Sequence, residues 1–239
     1  MMSPSTSSDY ATAAQYLVDA EALLIGAGAG MGVDSGLPAF RGTQGFWSAY
    51  PSYQGRSFAE MACPETFTSD PERAWGFYGH RLNLYRQHPP HAGFTILRRW
   101  AASIPLGAFV MTHNVDGHFQ RAGFAPEQVY ECDGSLHHLQ CHAGCPETGP
   151  TDAVHLDIDP HTFRTRSALP RCPQCRALAR PNLLMFYDGD WRRARYESQH
   201  RRYKTGCARF RITGWSRLNW AREPPSPPCG ANVNTPPGG

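Results

Sequence analysis

The chain has 239 residues, enough for one large domain or for a large and a small one. Hydrophobic residues make up 41% and charged residues 18%, an ordinary globular balance, and a formal net charge of +3 is too small to point to nucleic acid. No apolar run approaches the roughly 20 residues of a membrane span, and the polar opening Met1–Ser8 lacks the apolar stretch of a signal peptide, so a cytoplasmic protein without membrane or nucleic-acid partners is expected. In that compartment cysteines stay reduced, and paired cysteines point to metal before disulfide.

Residues 1–10 read as a loose tail, and 11–21 as a short amphipathic helix with Tyr16, Leu17 and Ala20 on one side. The apolar run Ala22–Ile25 is a buried strand. It opens into Gly28-Ala29-Gly30-Met31-Gly32-Val33-Asp34-Ser35-Gly36, followed by Leu37-Pro38-Ala39-Phe40-Arg41-Gly42. Glycines at the end of a strand let backbone N–H groups approach a phosphate closely, and a following helix N-terminus favours its charge. The stretch therefore predicts a nucleotide pyrophosphate site. No register gives a strict G-x-G-x-x-G, and no acidic residue ends a second strand about 20 residues on, so the ordinary dinucleotide fingerprint is absent.

Residues 43–68 are rich in aromatics, with Phe46, Trp47, Tyr50 and Tyr53, and fit either a mobile loop over a ligand or a plain connection. Ser69-Asp70-Pro71-Glu72 is a helix start, with a capping residue, proline in the first turn and then an acid. That helix runs to about residue 85 and stops before Pro89-Pro90; a second spans about 91–102 with Phe94, Ile96, Leu97 and Trp100. Strands follow at 108–111, whose end carries Thr112-His113-Asn114-Val115-Asp116, and at 128–132. A cysteine-bearing insert reaches about residue 180. A further strand is expected over Leu183–Phe186, and then a charged helix over 190–204 whose arginines form a solvated face. Alternating strands and helices imply an α/β fold with a doubly wound, Rossmann-like parallel sheet, where polar residues at strand C-termini form the ligand crevice.

Cys141-x-x-x-Cys145 and Cys172-Pro173-Gln174-Cys175 are two close pairs beside Gly144, Pro146 and Pro173. Two such knuckles present four thiolates to one tetrahedral zinc. The first pair is one residue longer than the usual knuckle, and a redox pair or unrelated buried thiols are the alternatives. Four ligands saturate the ion, so this zinc holds an inserted zinc-ribbon module together and does no chemistry. His137, His138 and His142 lie near the first pair, but the cysteines suffice.

The order of these landmarks resembles sirtuins, the NAD-dependent protein-lysine deacylases. The glycines followed by Pro38-Ala39-Phe40-Arg41 resemble the family's NAD-binding loop. Thr112-His113-Asn114-Val115-Asp116-Gly117 is similar to its Thr-Gln-Asn-Ile-Asp, and Glu131-Cys132-Asp133-Gly134-Ser135 to its Glu-Leu-His-Gly-Ser. The cysteine pairs and Arg180-Pro181-Asn182-Leu183-Leu184-Met185-Phe186 complete the series. The resemblance spans about residues 22–200.

It implies that Gly28, Ala29, Gly30 and Gly36 belong to the loop around the NAD pyrophosphate, and that Phe40 and Arg41 lie near the nicotinamide half. His113, Asn114, Val115 and Asp116 match the segment that binds nicotinamide and holds the reactive ribose. An Asn and an Asp at a strand end suit a carboxamide's acceptor and donor. Asp133 stands at the position of the family's catalytic histidine, so Asp133, Asn114 and Asp116 are the expected catalytic set. A carboxylate, with a reference pKa of about 3.9 against about 6.5 for histidine, is a weaker base near neutrality. His113 replaces the family's glutamine, Ala39 replaces an acid, and His137 or His138 is an alternative base.

The implied activity transfers an acyl group from a protein lysine to the ADP-ribose of NAD, with release of nicotinamide. The alternatives are ADP-ribosyl transfer or NAD hydrolysis, which need ribose positioning more than the base, and an NAD-binding or zinc-folded protein without turnover. The implied domains are an NAD-binding unit at 11–135 and 183–205 and a zinc module at 136–182. Residues 206–239 form an irregular tail. With Pro224-Pro225-Ser226-Pro227-Pro228 and Pro236-Pro237-Gly238-Gly239, the tail has no strand or helix period. Read from the third base of each codon, the same stretch can encode a strand and a glycine-threonine loop. A shifted reading frame is therefore expected.

Overall fold

The computed structural model describes residues 7–38, 50, 57–146 and 149–209. Phe40, Arg41, most of the aromatic stretch and residues 210–239 of the expected tail lie outside the described residues. In chain order the elements begin with α1 (Ser7–Val18), β1 (Leu23–Ala27) and a 3-10 helix (Ala29–Ser35). The helices α2 (Phe58–Met61), α3 (Glu65–Ser69), α4 (Pro71–Gln87) and α5 (Ala92–Ser103) follow, then β2 (Ala108–Thr112), α6 (His118–Arg121), β3 (Val129–Glu131) and β4 (Gly134–Cys141). The series ends with β5 (Gly149–Pro150), β6 (Ala179–Leu183) and α7 (Ala194–Arg209).

Strands β1, β2 and β3 form a parallel sheet in that order, with Leu23 opposite Ala108 and Thr112 opposite Glu131. A parallel strand is buried on both faces, and successive side chains point to opposite sides. Val110, Val129 and Ile25 therefore pack with Phe94, Phe119 and Phe124, around α5 and α6. The neighbouring Phe109 and Tyr130 turn the other way and meet Tyr203 of α7, with ring centroids 5.5 and 5.2 Å apart. Helices thus cover both faces, as expected of a doubly wound sheet.

The second sheet is antiparallel, with β4 between β5 and β6. The strand expected over 183–186 is corrected here. The extended segment is Ala179–Leu183, it pairs with β4 rather than with the parallel sheet, and residues 184–186 leave it. The cause is a buried ion pair. The Arg180 guanidinium donates to both Asp188 carboxylate oxygens at 2.8 Å, and Asp188 also accepts from the backbone N–H groups of Met185 and Asp190. That carboxylate folds the chain into a turn after Leu183. A short apolar run alone does not distinguish a strand from such a wall.

Helix α4 packs against the second sheet. Its start is capped by the Asp70 side chain, which accepts from Arg73 N–H, with Pro71 in the first turn; it ends at His88, just before Pro89. Trp75, Phe77, Tyr78, Leu82 and Tyr85 are buried with Met61, Phe67, Leu136, Leu156 and Met185. Polar groups of the same helix hold the second sheet and its loops. Trp75 Nε1 donates to Ala179 O at 2.9 Å, and Arg86 donates to Val154 O and Thr151 O at 2.6 and 2.7 Å. At Gly76 the contact is so close that a Cβ would lie 1.8 Å from Phe163 O.

Candidate functional site

The C-terminal ends of β1 and β2 open onto one cavity of about 440 Å³. Backbone hydrogen bonds carry the sheet register past the strand ends: His113 N–H donates to Ala27 O at 3.1 Å and Cys132 N–H to Thr112 O at 2.8 Å. His113 and Asp133 are thereby brought side by side at the mouth of the cavity.

The glycine stretch folds as the 3-10 helix over Ala29–Ser35, entered from extended backbone at Gly28. Ala29, Gly32 and Leu37 line the cavity. A Cβ at Gly32 would stand 3.1 Å from Leu37 Cδ1 and 3.6 Å from Asp116 Oδ2, so any side chain there would fill the space beside the carboxylate; a Cβ at Gly30 meets nothing within 4 Å. Asn114 Nδ2 donates to Gly28 O at 3.0 Å, which ties the glycine stretch to the end of β2. Gly36 has a different duty. With φ +86° it caps the 3-10 helix in the left-handed region, and a Cβ would lie 2.8 Å from His88 Cδ2.

His113, Asn114, Val115 and Asp116 all line the cavity, as does Asp133. Asp116 is 5% exposed and accepts from His118 N–H at 2.9 Å. Burial raises its carboxyl above the usual range, against the opposing effects of His118. His113 Nδ1 donates to Asp133 Oδ2 at 3.1 Å. This pair was not foreseen from the sequence, where 113 and 133 stood as separate departures. The alternative bases are elsewhere: His137 Nε2 donates to Asp116 O at 2.8 Å, and burial lowers both His137 and His138, the latter to about 4.

Sequence reasoning also missed Arg81 and Tyr85 of α4, and the clustering of Leu183–Phe186 as an apolar wall. The buried Arg81 guanidinium donates to Tyr85 Oη at 2.7 Å through Nη2 and lies 5.5 Å from the centroid of Phe77. An arginine among Tyr78, Leu82 and Tyr85 at helical spacing was the available signal: a charge on a stripe otherwise destined for the core.

A larger cavity, about 880 Å³, is lined by residues that include Glu131, His137, His138 and Arg195. None of the glycine-stretch residues, nor His113, Asn114, Asp116 or Asp133, faces it; the expected site residues among those described gather at the smaller one.

The Sγ atoms of Cys141, Cys145, Cys172 and Cys175 all lie within 4.8 Å of one another. Four sulfurs at about 2.3 Å from a tetrahedral zinc stand about 3.8 Å apart, so the cluster is compatible with zinc. The turns that make it are visible: Gly144 at φ +99° with its N–H on Cys141 O, and Arg176 at φ +63° with its N–H on Cys172 O. Burial opposes ionisation of Cys141, but N–H groups and neighbouring thiols lower it to about 7, while the same crowd raises Cys145 to about 12. A cluster that favours one thiolate and resists the next is a donor set suited to a dication. His142 is not part of it; its Nε2 contacts Thr68 Oγ1 at 3.0 Å.

Among the described residues no helix is long and apolar enough to cross a membrane. The chain is 31% identical over 199 residues to the NAD-dependent protein deacylase sirtuin-5 of Danio rerio, covering 75% of this chain and 61% of that protein. It is 34% identical over 176 residues to NAD-dependent protein deacylase 1 of Pseudomonas aeruginosa, covering 72% and 64%. A solved Sir2 homologue in complex with NAD superposes with a TM-score of 0.54 at 25% identity, over 74% of this chain and 61% of that one. The chain thus spans about six-tenths of the length of these relatives. Residues 28–205 match the model of the Sir2 family. With the glycine stretch, the strand-end polar residues and the four-cysteine module in the expected order, the chain belongs to the Sir2 family.

Proposed function

We propose that the protein is an NAD-dependent protein-lysine deacylase that takes an acylated lysine of a protein substrate, acts in the cytoplasm and carries one structural zinc on Cys141, Cys145, Cys172 and Cys175. The observation that carries the reading is the convergence of Ala29, Gly32, Asn114, Asp116 and Asp133 on one cavity that also has an apolar wall. When bound, NAD supplies an electrophilic ribose carbon with nicotinamide as its leaving group.

Each part of the cavity has work to do in that reaction. The loop from Gly28 to Gly36 would hold the pyrophosphate on backbone N–H groups, with open space at Gly30 and no side chain at Gly32 to crowd Asp116. Asn114 Nδ2 is already engaged, so its Oδ1 remains to accept from a carboxamide. Asp116, pushed toward its protonated form, can donate to a carboxamide oxygen or accept from a ribose hydroxyl as its ionisation changes. Leu183, Met185 and Phe186 offer the alkyl and acyl portions of the lysine an apolar surface and exclude water.

Incubation with NAD and an acetylated peptide tests this. Formation of acyl-ADP-ribose together with nicotinamide is expected. The carboxylate at 133 favours one second reading, NAD hydrolysis or ADP-ribosyl transfer, and free ADP-ribose or labelled protein without acyl-ADP-ribose would select it. Binding of NAD without consumption would refute both.

A further inference from the structure

We propose that the general base of this site is His113, reached through an exchange of positions: the imidazole sits at the end of β2, and Asp133, from the end of β3, is its positioning residue. The inference rests on the deacylase reading above and deepens it.

The geometry is that of an oriented base. Nδ1 of His113 donates to Asp133 Oδ2 at 3.1 Å, which selects the tautomer with the lone pair on Nε2. Both side chains line the cavity that also holds Asn114 and Asp116. Neither is locked away, since the histidine side chain is 47% exposed and the aspartate 38%. Backbone bonds fix both ends of the pair: His113 N–H to Ala27 O, and Leu184 N–H to Asp133 O at 2.8 Å. Asp133 alone is a poor candidate, because one of its oxygens is engaged by the imidazole and a carboxylate is the weaker base. His137 and His138, which line the other cavity, are half-buried, and that burial lowers them.

The step is a proton transfer. A ribose hydroxyl of the bound substrate loses its proton to Nε2, the O–H bond breaking as N–H forms, and the freed oxygen takes the acyl group. The imidazolium would then pass the proton to the lysine nitrogen as its bond to the acyl carbon breaks; overall one water is consumed, its elements appearing as the hydroxyl on the ribose carbon that released nicotinamide and as the proton that completes the lysine ammonium. The Asp133 carboxylate keeps accepting from Nδ1 and compensates the imidazolium charge.

The titratable groups acting on the ring are Asp133 and Cys132, both from the end of β3; Asp116, Arg81 and Tyr85 line the same cavity. Hydrogen bonds to Asp133 and Cys132 raise the imidazole to about 10, against the burial that lowers it. The neutral, basic form therefore grows as pH rises above neutrality, and acyl transfer should rise with it. Removing the Asp133 charge should move that rise toward the ordinary value near 6.5.

Three measurements decide the matter. NMR titration of the His113 imidazole, which needs no turnover, should give a midpoint well above 6.5 that falls in Asp133→Asn. The pH–rate profile of acyl-ADP-ribose formation should follow the same displacement, a change that a merely structural aspartate would not produce. In His113→Gln, acyl-ADP-ribose formation should fall at least about 100-fold relative to the exchange of labelled nicotinamide into NAD, since general-base catalysis is worth about 10²–10⁴-fold. NAD binding measured by calorimetry provides the normalisation. An ordinary His113 midpoint, or an unchanged ratio in His113→Gln, overturns the assignment and leaves the deacylase reading standing. A wild-type protein that binds NAD but consumes none overturns both.

Discussion

The Arg180–Asp188 pair gives the sharpest test of how the second sheet is held. Both side chains have 0% exposure, and two parallel bonds of 2.8 Å join them. Asp188→Asn keeps the shape and removes the charge, leaving a guanidinium buried without its counter-ion. Breaking a buried pair from one side costs about 3–5 kcal/mol. Against a typical total stability of about 5–15 kcal/mol this is a large fraction, equivalent to about 6–20 °C in Tm for a chain of this size. The same carboxylate turns the chain at Met185, so the cavity wall should loosen along with β6. Urea unfolding followed by tryptophan fluorescence measures the change, with Trp75 and Trp191 both buried. The combined Arg180→Met and Asp188→Leu variant removes both charges and should recover most of the loss, because an apolar replacement of a buried pair is often neutral or stabilising. A loss below about 1 kcal/mol in Asp188→Asn would show that the pair is solvated and the reasoning wrong.

Elemental analysis should find one zinc per chain, and Cys172→Ser should abolish it and raise hydrogen exchange across residues 141–179; metal-free protein with unchanged exchange there refutes the site. Gly134→Ala should unfold or strongly destabilise the chain, since Gly134 has φ +82° and a Cβ would stand 2.4 Å from Asn182 O; a wild-type melting curve would contradict this. Burial pushes the Asp70 carboxyl up, but hydrogen bonds from Arg164 and Arg73 N–H outweigh it and hold the group below the usual carboxylate range. Its contribution is therefore present above about pH 4 and lost as pH falls through the lower folded value. Arg164→Gln should lower Tm above about pH 4 by an amount that shrinks as pH falls, and a difference independent of pH would count against it. The nucleotide sequence decides the shifted-frame proposal for residues 206–239: codons incompatible with a strand and glycine-threonine loop in the third-base frame refute it.

The parallel sheet was legible because its strands are short apolar runs that end in glycine or in polar residues. Leu23–Ala27 and Ala108–Thr112 fall within two residues of their expected bounds. The cysteine module was legible because metal-ligand spacing is local. Two other features depend on contacts between distant segments. Arg180 and Asp188 redirect an apolar run from a strand into a wall, and nothing in residues 183–186 reveals the ion pair beside them. His113 and Asp133 are 20 residues apart, and only the β2–β3 register makes them neighbours. A one-residue slip in that register would separate them. Helix α7 continues to Arg209, beyond its expected end, because Gly206 lies against Phe109 and Tyr203 stacks on Tyr130, partners that its own charge pattern does not disclose.

Helix α4 has a consequence for how the molecule comes apart. Its indole and guanidinium groups fasten the cysteine-bearing sheet through Trp75 and Arg86, while Tyr78, Arg81 and Tyr85 wall the cavity. The cysteine-bearing sheet and the cavity wall therefore share a rigid rod rather than a hinge, and that sheet cannot melt while leaving the rod's contacts intact. The expected unfolding is one cooperative event: circular dichroism, tryptophan fluorescence and release of zinc should give coincident midpoints. Metal withdrawn from Cys141, Cys145, Cys172 and Cys175 would then be felt at the mouth of the nucleotide cavity as lost order, although the cluster takes no part in the chemistry.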